Sequence, residues 1–103
     1  MSDNNNILQK LNGIAARFDE VSTLITDPAV IADQKRYVRL SKEYKELETL
    51  IATRKKYIQT LDNIKEAKDL LNNEDDPEMR KMAHEELEES QQQLPEIEET
   101  IKL

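Results

Sequence analysis

The 103 residues suffice for one small domain and no more. With 37% hydrophobic and 36% charged residues but a single glycine and 4% aromatics, they lack the turn residues of a β-sandwich or doubly wound sheet. An all-α fold with a Leu/Ile core is therefore expected; the lack of cysteine excludes disulfides and thiolate metal sites, and a net charge of −7 argues against nucleic-acid binding by the surface as a whole.

The opening MSDNNN has neither a basic start nor an apolar stretch, so no secretory signal is read. No run anywhere approaches the ~20 apolar residues that span a bilayer. A cytoplasmic protein is expected. Asp and Asn at positions 3–6 offer N-caps to a first helix whose apolar residues, Ile7, Leu11, Ile14, Phe18, Val21 and Ile25, recur at 4-3-4-3-4 spacing. Thr26-Asp27-Pro28 ends it and starts the next, with Asp27 as cap and Pro28 at the first helical position.

The second helix is predicted from Pro28 to about Leu71, roughly 65 Å if unbroken. Its apolar stripe is Tyr37, Leu40, Tyr44, Leu47 and Ile51 in the first half, then Leu50, Tyr57, Leu61, Ile64 and Leu71 in the second. A stripe that drifts around the helix needs different packing partners at its two ends. Asn72 to Asp75 makes a turn, and Asp76-Pro77 starts a third helix with Glu78 in its favourable first turn. Its seam is Ala83, Leu87, Ser90, Leu94, Ile97 and Ile101; Pro95 predicts a kink or short break near Leu94. Together these lengths predict an elongated antiparallel helical hairpin with a third helix packed on one end, a three-helix domain spanning 1–103.

Little in the chain points to catalysis. His84 is the only histidine, and its neighbours Glu85 and Glu86 suggest a solvated surface position. Gly13 alone cannot build a phosphate loop; in a helix it marks either close helix–helix approach or a tolerated cost. The carboxylates Glu85, Glu86, Glu88, Glu89, Glu96, Glu98 and Glu99 fan around a helix instead of converging on an ion, so no metal or other cofactor is expected. Some of them face Lys55, Lys56 and Lys65 as partners across the hairpin.

Charge is unevenly spread. Residues 1–27 carry net −2, residues 28–60 net +4 and residues 61–103 net −9. In the basic segment Lys35, Arg39 and Lys42 fall at i, i+4 and i+7, with Arg36 adjacent and Lys45 near. Such a stripe suits phosphate contacts with a steep salt dependence, or a merely solubilising face balanced by Glu43 and Glu46. Tyr37, Val38, Leu40 and Tyr44 are candidates to stay accessible, because only the first helix covers this half.

Three stretches carry a resemblance. DPEMRKMAHEEL (Asp76 to Leu87), IADQKRYVRLSKEY (Ile31 to Tyr44) and the pattern from about Ile7 to the last residue resemble the bacterial class-1 peptide chain release factors. LSKEY (Leu40 to Tyr44) resembles the type that reads UAA and UAG more than the paralogue reading UGA and UAA. The resemblance covers only the family's amino-terminal domain 1. It implies a helical, non-enzymatic docking domain for translation termination on the ribosome, near the large-subunit stalk base. It also implies, as further partners, a class-2 release factor GTPase and the methyltransferase that modifies the catalytic glutamine; neither membrane nor DNA is implied.

The family's codon-reading Pro-x-Thr loop and its Gly-Gly-Gln tripeptide have no counterpart here: Pro28, Pro77 and Pro95 precede Val30, Met79 and Ile97 by two, and glycine occurs once. No contact residue transfers by motif, so Lys35, Arg36, Arg39 and Lys42 stand as candidate ribosome or partner contacts on their chemistry alone. Pro95 departs from the family's continuous glutamine-rich helix, and Leu103 ends within an apolar helical pattern, as a truncated chain would. A free-standing acidic adaptor or coiled-coil oligomerisation module remains the alternative.

Overall fold

The structure, a computed structural model, describes residues 2–101, with side chains from residue 6 onward. The described residues form four helices: α1 (Ser2–Leu24), α2 (Pro28–Ala32), α3 (Gln34–Asn73) and α4 (Pro77–Ile101). The expected caps at positions 3–6 fall inside α1, which starts at Ser2; the side chains of 3–5 lie outside the described residues, as does Leu103.

The fold is all-α, but the expected three-helix hairpin is not what forms. The helix predicted to run unbroken from Pro28 is divided at Asp33, whose backbone is extended at φ −94° and ψ 93°. Aspartate favours this role because its short carboxylate competes for backbone donors. Asp33 N–H donates to Val30 O at 3.0 Å, closing α2, while Asp33 O and Oδ1 accept from Tyr37 N–H (2.9 Å) and Arg36 N–H (3.3 Å), opening α3. The chain also resolves into two compact units, Met1–Arg54 and Lys55–Leu103, instead of one hairpin with an added helix.

In the first unit α1 lies antiparallel to the first half of α3. Phe18 stacks on Tyr44, with ring centroids 5.0 Å apart, and Arg54 Nη2 donates to Asn12 Oδ1 at 3.1 Å. Val21, Val30, Leu40 and Leu47 form the buried cluster, flanked by Ile14, Phe18, Leu24, Ile25 and Tyr44. Val30 reaches this core because Asp27 caps α2, its Oδ1 accepting from Ala29 N–H at 2.9 Å. One short helix thus places one large apolar side chain in the core.

A bidentate pair braces the same unit. Arg17 donates from Nε and Nη2 to the two carboxylate oxygens of Glu43 at 2.7 and 2.8 Å, and from Nη1 to Glu20. The fork matches carboxylate geometry, which makes such pairs stronger than single contacts. These hydrogen bonds hold the Glu43 carboxyl below the ordinary glutamate range and raise the Arg17 guanidinium, with Glu43 the larger influence and Glu20 the smaller.

In the second unit the rest of α3 and α4 are antiparallel. Tyr57, fully buried, donates its hydroxyl to Glu98 Oε2 at 3.1 Å. The expected seam of α4 is realised at Ala83, Ser90, Ile97 and Ile101, all buried, with Leu87 and Leu94 half-buried. The buried polar residues of this unit are paired: Thr60 Oγ1 donates to Lys56 O at 2.8 Å and Ser90 Oγ to Glu86 Oε2 at 2.8 Å. Within the first unit the buried residues of α3 are Leu40 and Leu47, a heptad apart, and within the second they are Tyr57, Thr60 and Ala67.

Residues 74–76 connect these helices through a set of capping bonds. Glu74 Oε1 accepts from Asp75 and Asp76 N–H at 3.1 and 3.2 Å, and Asp76 Oδ1 accepts from Glu78 N–H at 3.0 Å. Arg80 donates Nη1 to the carbonyls of Leu71 and Glu74, satisfying acceptors that the end of α3 leaves open. The break expected at Pro95 does not occur; α4 runs through it. Pro95 and Gln91 are both exposed, and the helix continues although Pro95 offers no N–H to the Gln91 carbonyl.

Two predictions follow from these contacts. A Cβ built on Gly13 meets nothing within 4 Å, which removes close helix approach as its reason. Gly13→Ala should raise stability by about 0.5–1 kcal/mol in urea unfolding, and a loss would reveal an unseen contact. The Arg17–Glu43 pair should give a pH-dependent increment. Because the folded Glu43 carboxyl titrates below its unfolded value, its contribution is complete at neutral pH and is lost as pH falls through the folded value. The stability gap between the native chain and Glu43→Gln should be widest near neutrality and close in acid, and a gap that widens in acid contradicts the sign.

Candidate functional site

Lys35, Arg36, Arg39 and Lys42 occupy the first turns of α3, and all four are exposed. At 100° per residue Lys35, Arg39 and Lys42 fall within an arc of about 60°, whose centre is about 110–130° from Leu40 and Leu47. The core side of the helix therefore orients them outward. Arg36 lies about 100° from Lys35 and flanks the stripe without joining it.

The electrostatics of this face follow from where its neighbours have gone. Glu43, expected to balance the stripe, has both carboxylate oxygens on Arg17. Among the described residues the ion pairs are Arg17–Glu20 and Arg17–Glu43, and the side chains of Lys35, Arg36, Arg39 and Lys42 take part in none. Glu46, exposed one turn beyond Lys42, is the acid left on the stripe. Asp33, the cap, is the one carboxylate at the start of α3; the first turn itself carries no acidic residue, and Lys35 and Arg36 stand there instead. The segment is thus locally basic in an otherwise acidic chain.

On α3, Val38 lies beside these cations, about 40° from Lys42, whereas Tyr37 is on the far side of the helix. Ile31, Tyr37 and Val38 are exposed, whereas Leu40 is buried and Tyr44 packs against the core, so two of the four side chains expected to be accessible are. The face can thus offer both phosphate contacts and apolar contact area.

Elsewhere the chemistry is sparse. His84 is exposed beside Arg80, Lys81 and Pro77. Among the described residues no group of three or more His, Asp or Glu side chains is placed to hold a metal ion, and Lys55, Lys56 and Lys65 form no ion pair with the acids of α4. No helix among the described residues is long and apolar enough to cross a membrane. Met79 and Met82, which lie outside the seam that begins at Ala83, are exposed, Met82 at 66%, and only the position of α3 shows that Ala83 turns inward while its neighbour Met82 does not.

Comparison with known proteins places this geometry in a family. Over its full length the chain is 67% identical to peptide chain release factor 1 of Bacteroides fragilis and 64% identical to that of Bacteroides thetaiotaomicron, covering 28% of each relative. It is 40% identical over 97 residues to peptide chain release factor 1 of Lacticaseibacillus casei, covering 94% of this chain and 27% of that protein. The chain thus spans little more than a quarter of the relatives it matches, and the stretch matched is their amino-terminal, non-catalytic region. No solved structure matches it significantly. The family model of the PCRF domain matches residues 14–103, nearly the whole of the described chain, and the protein therefore belongs to the PCRF domain family.

Proposed function

We propose that residues 1–103 are the first, helical domain of a cytoplasmic peptide chain release factor that serves termination at UAA and UAG, and that this domain docks the factor on the ribosome. One observation carries the reading: similarity to release factors runs along the whole chain, at 67% identity with the relative from Bacteroides fragilis. Codon reading and peptidyl-tRNA hydrolysis belong to other parts of such a factor, since Pro-x-Thr and Gly-Gly-Gln are both missing from this sequence. The domain's role is binding, without a cofactor. An acidic adaptor or coiled-coil module would explain the charge pattern but not the whole-length similarity.

The docking face in this reading is the stripe Lys35, Arg39 and Lys42, flanked by Arg36. Three unpaired cations on one helix face can meet successive phosphates of ribosomal RNA, and each contact releases condensed counterions. Exposed Val38, beside the stripe, adds apolar contact to the same approach. The partners are the large-subunit stalk base and, in the same reading, a class-2 release factor GTPase and the release-factor glutamine methyltransferase.

The test uses the complete factor. Lys35→Glu combined with Arg39→Glu should weaken ribosome association about tenfold at low salt and lower the slope of log affinity against log salt by about 2. Both substitutions are at exposed helix positions, so thermal stability should be retained. Unchanged low-salt affinity would return these residues to an ordinary solvated face.

A further inference from the structure

We propose that the cleft between the second half of α3 and α4 is a docking groove for a basic amphipathic helix of a protein partner. The cleft has a volume of about 290 Å³. Ala67 and Ala83, both buried, form its floor with Leu70, while Met79 and Met82 line one wall at 42% and 66% exposure. Small floor residues beneath long flexible walls leave room for an incoming aliphatic side chain. Methionine suits that role because its unbranched, polarisable thioether adapts to different shapes.

The rim selects the charge of the occupant. Glu66 and Glu86 line the same cleft. Glu86 is held by the hydrogen bond that its Oε2 accepts from Ser90 Oγ, while Glu66 has neither hydrogen bond nor ion pair among the described residues. No lysine or arginine lines the cleft, and residues 61–103 carry net −9. A polyanion is repelled by this field, and an acidic or neutral peptide gains nothing from it. A helix presenting leucine-like side chains between lysines or arginines satisfies both the apolar wall and the carboxylate rim, in the manner of other helix-in-groove sites. The groove is built from residues of the second unit alone and does not depend on the basic stripe of the first.

The chain's methionines report directly on this site, since there are three: Met1, Met79 and Met82. The chain labelled with ¹³C-methyl methionine would be titrated with a synthetic Lys/Leu amphipathic helix of about four turns. A scrambled peptide of the same composition and a Glu/Leu counterpart serve as controls. The Met79 and Met82 methyl signals should shift saturably with the Lys/Leu helix, and the controls should produce little change.

Met79→Gln with Met82→Gln replaces exposed side chains, so it should leave the thermal midpoint in place and weaken binding about tenfold. Glu66→Gln with Glu86→Gln should flatten the salt dependence of binding. Equal shifts with the scrambled peptide would reduce the effect to bulk charge and overturn the proposal. So would stronger binding of the Glu/Leu helix, or methyl shifts that depend on protein concentration alone, which would mean that a second copy fills the groove.

Discussion

Helix α3 is forty residues long, and a helix gains most of its stability in a protein from burying an apolar face rather than from propensity. Each half is covered within its own unit: Leu40 and Leu47 by α1 and Val30 of α2 in one, Tyr57 and Ala67 by α4 in the other. The connections follow from this requirement, because a short helix must be turned back and fixed at each end of α3. Asp27 and Asp33 do this at one end, and Glu74, Asp76 and Arg80 at the other.

The same packing sets the electrostatics of the candidate docking face. Arg17 is carried on α1 and Glu43 on α3, so they meet only once the two helices are antiparallel. Their bidentate contact removes from the stripe the carboxylate that would otherwise sit one residue from Lys42. A tertiary contact between two partly exposed groups thus matters more for the field around Lys35, Arg39 and Lys42 than for stability. The cations are free because the neighbouring acid has been used elsewhere.

DPEMRKMAHEEL, the stretch with the strongest family resemblance, divides into three physical roles. Asp76 and Pro77 start α4, Arg80 satisfies carbonyls at the end of α3, and Ala83 and Leu87 face inward. Met79 and Met82 have none of these roles and stay exposed, which is what makes their side of the cleft a surface and not a seam.

By itself the sequence determined the helical class, the Asp-Pro starts at Asp27 and Asp76, the seams of α1 and α4, the drift of the α3 stripe, and the i, i+4, i+7 order of the basic residues. These are local consequences of periodicity, capping and charge spacing, which need only neighbouring residues to act. The division at Asp33 was legible in principle, since Asp is a good cap, but helical spacing continues across it and gives no sign of which preference wins. Only the tertiary structure decided that Val30 enters the core, that Pro95 leaves α4 unbroken, that Glu43 belongs to Arg17, and that Met82 points away from the seam Ala83 joins. Each of these depends on whether a position meets another helix or open solvent, which no spacing along the chain encodes.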